Sequence, residues 1–208
     1  MKNPNNIKYV SGIGICDIPA TVNGKRLPAY QYWTSMLTRC TSYGKAARFD
    51  TYKGCTVSKQ WLLFSEFKKW FDLNHKEHYD LDKDILVPGN KVYGPDTCRF
   101  VPHYINLLIN SLMSSNKFYP GVSYKSDTKS YQVFVKTFSS QKYLGLHPTP
   151  EAASQVYRAF KAKHIRRVAY WSHELGHIDE EVYGALLIRA RLLETENNQK
   201  RKSRKSTQ

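Results

Sequence analysis

The chain has 208 residues and a formal net charge of +15 at pH 7. Hydrophobic residues make up 41% of it and aromatic residues 13%, which is enough apolar material for packed cores and excludes a wholly disordered protein. No stretch approaches the roughly 18 apolar residues of a membrane span, and the polar opening residues lack the apolar segment of a secretion signal. We therefore expect a cytoplasmic protein of one large or two small domains, with no membrane partner.

The positive charge is concentrated in two parts of the chain. Residues 118–170 carry nine Lys and Arg residues against two acidic ones, and residues 200–208 carry five against none. Residues 171–199 carry two against six. This distribution is typical of a phosphate-binding module followed by a flexible basic arm, so it favours a nucleic acid as partner. Charge alone leaves an RNA-binding or ribosome-associated protein as an alternative.

The four cysteines are isolated from one another, and none forms a CxxC pair. This spacing argues against a zinc ribbon and against a disulfide framework. We expect reduced, partly buried thiols, with a metal site gathered from distant parts of the chain as the alternative. The residues are Cys16, Cys40, Cys55 and Cys98.

In chain order, glycine and proline residues recur through about the first thirty residues, and this pattern predicts loops and short strands there. A helical spacing of three and four then begins at Tyr30 and includes Trp33, Met36 and Leu37. Tyr52–Val57 is predicted to be a short strand or turn. Ser58 is predicted to cap a second helix whose apolar residues belong to a core: Trp61, Leu62, Phe64, Phe67, Trp70 and Phe71.

Residues 79–112 are predicted to run strand, long loop, short strand, helix. Residues 79–86 alternate, so that Asp80, Asp82 and Asp84 would face one way and Leu81, Lys83 and Ile85 the other. Extended structure resumes from Cys98 to Val101, and Pro102 suits the first position of a helix. That helix would bury Ile105, Leu108, Ile109 and Leu112.

After a predicted linker at residues 114–117, three short strands are expected, at 122–125, 130–138 and 142–146. Thr149, Pro150 and Glu151 then form a strong helix start, with a capping hydroxyl, a proline and an acidic residue in the first turn. A final helix is expected at about 178–196, before the basic tail.

Residues 118–165 resemble the APETALA2-type DNA-binding domain. The resemblance is carried by Gly121-Val122, Leu144-Gly145 and Thr149-x-Glu151-Ala152-Ala153, in the family's order and spacing. It implies a three-stranded antiparallel sheet that enters the major groove of double-stranded DNA while one helix packs behind it. The family's DNA-facing positions correspond to Ser123, Lys125, Phe134, Lys136, Gln141 and Tyr143. Phosphate contacts are expected from Lys129, Arg158, Arg166 and Arg167. Ser123, Phe134 and Gln141 depart from the family's residues, so its target sequence does not transfer.

Residues 30–110 resemble a group of phage HNH-type endonucleases. The shared residues are Trp33-x-x-Met36-x-x-Arg39-Cys40, Val57-x-x-x-Trp61-x-x-Phe64-x-x-Phe67, Leu81-Asp82-Lys83-Asp84 and Tyr93-x-Pro95-x-x-Cys98-Arg99-Phe100-Val101-Pro102-x-x-x-Asn106. The resemblance implies a ββα-metal unit in which one divalent cation, here Mg²⁺, stabilises the leaving oxygen. If a phage encodes the chain, the compartment is the host cytoplasm.

The family's general-base histidine is missing, and Lys83 lies at its position. The predicted catalytic residues are Asp82, Lys83, Asp84, His103 and Asn106, and the predicted metal ligands are Asp82, Asp84, His103 and Asn106. Lys83 would contact the phosphate or the transition state. His75 and His78 are alternative sources of the base. His173 and His177 lack the order of a zinc-protease helix and are interpreted as ordinary polar groups between helices.

Together these patterns predict an α+β protein. A nuclease domain at 1–113 consists of the HNH-like unit with flanking helices. A DNA-binding domain follows at 118–168, with a sheet on one helix, then a helical extension at 171–199 and a disordered basic tail at 200–208. The leading hypothesis is a metal-dependent DNA endonuclease of the homing type. The alternative is a non-catalytic, sequence-specific DNA-binding protein on a degenerate nuclease scaffold.

Overall fold

A computed structural model describes residues 9–41, 52–110, 119–138 and 140–205. The described chain is a mixed α+β protein with five α-helices and several small sheets, one of them three-stranded. It divides into two compact units, Met1–Phe100 and Val101–Gln208. The predicted linker at 114–117 and the predicted helical residue Leu112 lie outside the described residues.

The first unit is built on two helices, α1 (Pro28–Cys40) and α2 (Phe64–Asn74). Two short antiparallel ribbons precede α1: β1 (Tyr9–Val10) with β2 (Gly14–Ile15), and β3 (Thr21–Val22) with β4 (Lys25–Arg26). The strand β5 (Thr56–Val57) pairs in parallel with β7 (Val92–Tyr93). The strand β6 (Tyr79–Asp82) forms a two-stranded sheet with β8 (Arg99–Pro102), the strand in which the first unit ends.

The aromatic residues of this unit form its core, as their spacing predicts. Trp33, Trp61, Phe64 and Phe67 are all at most 1% exposed. Gly14 shows how tightly they pack, because a Cβ atom there would lie within 3 Å of the Trp33 ring. The indole Nε1 of Trp33 donates a hydrogen bond of 2.7 Å to the carbonyl oxygen of Trp61, which links α1 to the segment before α2.

The predicted second helix is divided in two, which corrects the sequence prediction. A 3₁₀ turn at Lys59–Leu62 is followed by an extended Leu63, and α2 begins only at Phe64. A continuous helix would join the carbonyl of Trp61 to the N–H of Ser65. That carbonyl instead accepts the Trp33 indole, and the N–H of Ser65 donates to the Asp17 carboxylate. The hydroxyl of Ser58 makes no capping hydrogen bond.

The strand predicted at 79–86 ends at Asp82, so the predicted alternation of aspartates is wrong beyond that point. The carboxylate of Asp82 accepts a 2.9 Å hydrogen bond from the backbone N–H of Asp84, which bends the chain. Leu81, Asp82 and Lys83 are consecutive and all buried. A strand with one solvated face would not bury three residues in a row.

The second unit contains the α3 helix (His103–Asn110), three strands and two long helices. The strands are β9 (Val122–Lys125), β10 (Ser130–Lys136) and β11 (Gln141–His147), in the antiparallel order β11-β10-β9. The helix α4 (Pro150–Glu174) packs behind this sheet, and α5 (Glu180–Lys205) returns along α4. The predicted three-stranded sheet with its helix is therefore confirmed at the level of architecture.

The helix α4 begins where the sequence predicts, and α5 begins at Glu180, two residues after its predicted start. The hydroxyl of Thr149 accepts a hydrogen bond from the N–H of Ala152, and the carboxylate of Asp179 accepts one from the N–H of Val182. The end of α5 differs from the prediction, because this helix continues to Lys205 and thus into the basic segment predicted to be disordered. The strand–loop–strand–helix order predicted for 79–112 is present as β6, β8 and α3, and this order alone does not establish a ββα-metal unit.

Candidate nucleic-acid interface

The inner face of the three-stranded sheet is fixed by its core. Val122, Val133 and Val135 are at most 1% exposed and pack with Ala153 and Tyr157 of α4. Because side chains alternate along a strand, the intervening residues must point away from α4. The core thus determines which side chains form the outer face.

Two of the glycines that carry the sequence resemblance, Gly121 and Gly145, are required by the backbone geometry at their positions. Gly121 has a φ of 69°, and a Cβ atom there would lie 2.3 Å from the carbonyl oxygen of Phe134. Gly145 has a φ of 101° and lies in the part of β11 where the register with β10 shifts. This bulge turns Leu144 toward the core while Tyr143 stays on the outer face.

The outer face brings together all the sheet residues that the resemblance implies. Strand pairing places Ser123 opposite Gln132, Phe134 opposite Tyr143 and Lys136 opposite Gln141. Gln132 donates a 3.0 Å hydrogen bond to the Ser123 hydroxyl, and the rings of Phe134 and Tyr143 lie 5.1 Å apart. The predicted DNA-binding residues of the sheet therefore share one surface: Ser123, Lys125, Lys136, Gln141 and Tyr143. We call this surface the outer sheet face.

Charge on the outer sheet face comes from two lysines. Lys136 is exposed. The Nζ atom of Lys125 lies 3.1 Å from a carboxylate oxygen of Asp127, and both side chains of this ion pair are partly exposed to solvent. Amide, hydroxyl and aromatic groups make up the remainder. The face can therefore donate and accept hydrogen bonds while carrying a net positive charge, which is the chemistry needed to contact base edges and phosphates.

Of the three arginines predicted to hold phosphates, Arg166 and Arg167 have different surroundings. Both terminal nitrogens of Arg166 contact the carboxylate of Glu194, one of them at 2.7 Å, so this guanidinium joins α4 to α5. Arg167 is exposed and lines a cavity beside Lys163 and Phe160. The charge of Arg166 is thus neutralised by Glu194, whereas the guanidinium of Arg167 lies exposed at the cavity.

In the first unit, the bend after β6 brings two carboxyl groups together. Asp82, which is 8% exposed, and Asp84 interact through their side chains. Burial, the charge of Asp84 and the hydrogen bond between the two raise the pKa of Asp82 to about 6. The Nζ atom of Lys83 lies 3.2 Å from Asp84, and Lys83 is only 5% exposed. We call Asp82, Lys83 and Asp84 the carboxylate turn.

The remaining predicted ligands lie on α3, in the second unit. His103 is exposed, and the side-chain oxygen of Asn106 accepts a 2.8 Å hydrogen bond from Asn110. The helix is held by Tyr104, whose hydroxyl bonds Ser172 at 3.0 Å and His177 at 2.9 Å. Within the ranges that the structure describes, no three His, Cys, Asp or Glu side chains are grouped for metal binding.

Several other histidines and cysteines have packing roles, whereas His78 and Cys16 are exposed. His75 stacks on Phe71 with ring centroids 4.2 Å apart, and His173 stacks on Tyr183 at 4.8 Å. With the contact of His177 to Tyr104, this confirms the interpretation of His173 and His177 as polar groups between helices. Burial raises the pKa of Cys40 and of Cys98 to about 12, which keeps both as neutral thiols.

The cavity beside Arg167 was not predicted from the sequence. Its helical residues Phe160, Lys163 and Arg167 are spaced by three and four, so they share one face of α4. That spacing was a usable signal. The contribution of Lys142 from β11 was not, because it depends on how the sheet packs on the helix.

Comparisons of the chain with protein-family models, with curated proteins and with solved structures found no match. Across the described helices, none combines the length and apolar character that crossing a bilayer requires.

Proposed function

We propose that this protein binds double-stranded DNA through the outer sheet face. The observation that carries the proposal is the convergence of Ser123, Lys125, Lys136, Gln141 and Tyr143 on one surface, backed by a rigid helix. A narrow, twisted sheet of this kind fits the major groove, where each base pair presents a distinct set of donors and acceptors. Lysine suits the acceptors of guanine, and glutamine suits adenine.

The net charge of +15 supports the same partner, since neutralised phosphates release counterions and drive association. Lys125 is the last residue of β9, and Lys136 is the last residue of β10. Because these strands are antiparallel, the two lysines lie at opposite ends of the outer sheet face. The sheet would thus set which bases are read, while the surrounding basic residues hold the backbone.

The binding proposal is tested by selecting a preferred duplex from a random pool and measuring its dissociation constant. Lys136→Ala and Tyr143→Ala should weaken binding of that duplex. The matched control is Lys25→Ala, which removes one exposed lysine from the first unit. Equal losses in all three variants would show that only net charge matters and would reject the assignment to the outer sheet face.

A second proposal, metal-dependent cleavage of DNA, is favoured by the carboxylate turn. Asp82 and Asp84 would hold a hard divalent cation such as Mg²⁺, because paired carboxylates are its preferred protein ligands. The cation would supply charge stabilisation at the leaving oxygen. The two carboxyl groups fit such a cation. The negative charge of Asp84 raises the pKa of Asp82, and a bound cation would offset this repulsion between the two carboxylates. Lys83 would stay beside Asp84 and orient its carboxylate.

Incubation with plasmid DNA distinguishes two hypotheses. One is an endonuclease of the phage homing type, which the HNH resemblance implies, and the other is a non-catalytic DNA-binding protein. The enzyme should nick the DNA in Mg²⁺, stop in EDTA, and lose activity in Asp82→Asn and Asp84→Asn. Asp72→Asn, at an exposed acid of α2, is the control. Tight binding of the selected duplex with no nicking would favour the non-catalytic alternative, in agreement with Lys83 at the position of the missing histidine.

A further inference from the structure

A cavity of about 560 Å³ lies in the second unit, between the β10–β11 end of the sheet and the C-terminal half of α4. Its volume is within the range of about 300–1,000 Å³ that is usual for small-molecule sites. Two phenylalanines, Phe138 and Phe160, contribute its apolar wall. Three cationic side chains and a histidine also line it, together with three polar residues of the sheet end: Lys142, Lys163, Arg167, His164, Thr137, Ser140 and Gln141.

Among the described residues, the three cations have no counter-charge. No acidic side chain of those residues lines the cavity, and none of them is ion-paired with Lys142, Lys163 or Arg167. Nearby Arg166 differs, since Glu194 neutralises it. Like charges gathered in a concave surface raise the local positive potential and attract an anion. The Nζ atom of Lys142 lies 5.3 Å from the Phe160 ring centroid, which places charge directly beside an aromatic face.

The aromatic wall offers a stacking surface. Phe138 is 53% exposed, and the rings of Phe138 and Phe160 lie 5.5 Å and 6.3 Å from the imidazole of His164. The Nε2 atom of His164 is buried and has no hydrogen-bond partner among the described residues. Burial and the charges of Lys161 and Arg167 lower the pKa of His164, so its ring is neutral at pH 7.

We propose that this cavity binds a nucleotide unit, with the base against Phe138 and Phe160 and the phosphate on Lys163 and Arg167. Aromatic stacking combined with free cations is how proteins hold single nucleotides and unpaired strands. An inorganic anion would use only the cations, and an uncharged aromatic ligand would use only the wall. The unit has two possible sources: a free mononucleotide, or an unpaired nucleotide within a DNA strand. The proposal does not depend on duplex binding by the outer sheet face.

Calorimetric titration of the full chain at low salt tests the site. The probes are deoxyadenosine monophosphate, deoxyadenosine, inorganic phosphate and a 5′-phosphorylated single-stranded tetranucleotide. We expect deoxyadenosine monophosphate to bind at least 10-fold more tightly than deoxyadenosine or phosphate. Arg167→Gln and Lys163→Gln should each weaken it several-fold, while the charge-matched control Lys25→Gln should not.

Phe160→Ala should abolish the advantage of the nucleotide over phosphate. Phe160 also packs against the sheet core, so the circular dichroism spectrum of the Phe160→Ala variant must match that of the parent. Arg167 is exposed, so Arg167→Gln tests the site without disturbing the core. A tetranucleotide that binds at least 10-fold more tightly than the mononucleotide identifies a strand as the source, and equal affinity identifies a free nucleotide. Phosphate binding as tight as nucleotide binding, or nucleotide binding unchanged in Arg167→Gln, would overturn the proposal. Duplex binding by Lys136→Ala and Tyr143→Ala reports separately on the outer sheet face, because neither residue lines this cavity.

Discussion

The outer sheet face and the carboxylate turn both rest on alternation along a strand, and the two outcomes differ. In β9 and β10, the buried valines that pack against Tyr157 of α4 fix the inner face, so every second residue has to point outward. In β6, the strand is only four residues long and ends at the first aspartate of interest, where a side-chain hydrogen bond to the backbone replaces strand pairing. Alternation is a reliable guide where a core lies against the sheet. It fails where Asp or Asn can bond its own backbone.

The largest effect is expected at Gly121, which enables the sheet to pack on α4. Gly121→Ala should lower the free energy of unfolding by about 3 kcal/mol, because a Cβ atom would overlap the Phe134 carbonyl oxygen at a positive φ. Urea unfolding measures it. Gly24→Ala is the matched control, since Gly24 has a φ of 73° with nothing within 4 Å of the added atom. It should cost about 1 kcal/mol, from backbone strain alone. Equal costs would show that the close approach at Gly121 is relieved by small shifts.

The carboxylate turn should make stability depend on pH. The pKa of Asp82 rises from its usual 3.8 to about 6, so the folded protein holds this proton more tightly than the unfolded chain. Its contribution to the free energy of unfolding is therefore fully present below about pH 4 and is lost as the pH rises through about 6. Unfolding in urea with EDTA at pH 4 to 7 should show a decrease on the order of 1–3 kcal/mol that Asp82→Asn removes. A profile identical in Asp82→Asn and the parent would contradict the buried pair.

A change of similar or smaller size is expected on the outer sheet face. Lys136→Ala should weaken binding of a selected duplex by about 1–3 kcal/mol if Lys136 contacts a base, and the loss should vary with the base opposite it. A loss uniform across sequences, with a salt slope smaller by about one, would instead assign Lys136 to a phosphate. Fluorescence anisotropy at several salt concentrations distinguishes the two. The stability of the variant should match that of the parent, because Lys136 is exposed.

The smallest effect is expected at the Arg166–Glu194 pair, whose side chains are 41% and 44% exposed. Arg166→Gln should cost less than about 1 kcal/mol of stability, because solvent screens an exposed pair. It should leave duplex binding nearly unchanged, while Arg167→Gln should weaken it if Arg167 holds a phosphate. A larger loss of DNA binding in Arg166→Gln than in Arg167→Gln would restore the phosphate role that the sequence resemblance implied for Arg166.

Much of the second unit could be predicted from sequence, because its signals are local. Thr149 and Pro150 mark the start of α4, and the short polar turns mark the ends of the strands. The first unit was harder, since long-range hydrogen bonds decide its local structure. The Trp33 indole and the Asp17 carboxylate divide the predicted second helix, and neither partner is near it in the sequence.

The candidate site followed the same pattern. Side chains on regular strands were placed on the correct face, whereas the aspartates of the turn were not. The cavity of α4 needed a sheet residue, Lys142, that no helical pattern contains. The predicted α5 was too short because a run of basic residues is typical of a solvated tail. Lysine and arginine are nevertheless good helix formers.

The most direct test of the account is the affinity of the full chain for a selected duplex, compared with a scrambled duplex and with heparin over a range of salt concentrations. If the outer sheet face reads base edges, the selected duplex should bind at least about 10³-fold more tightly than the scrambled one, and this preference should persist as salt weakens both. Affinity for the selected duplex no greater than that for the scrambled duplex or for heparin at every salt concentration would contradict it.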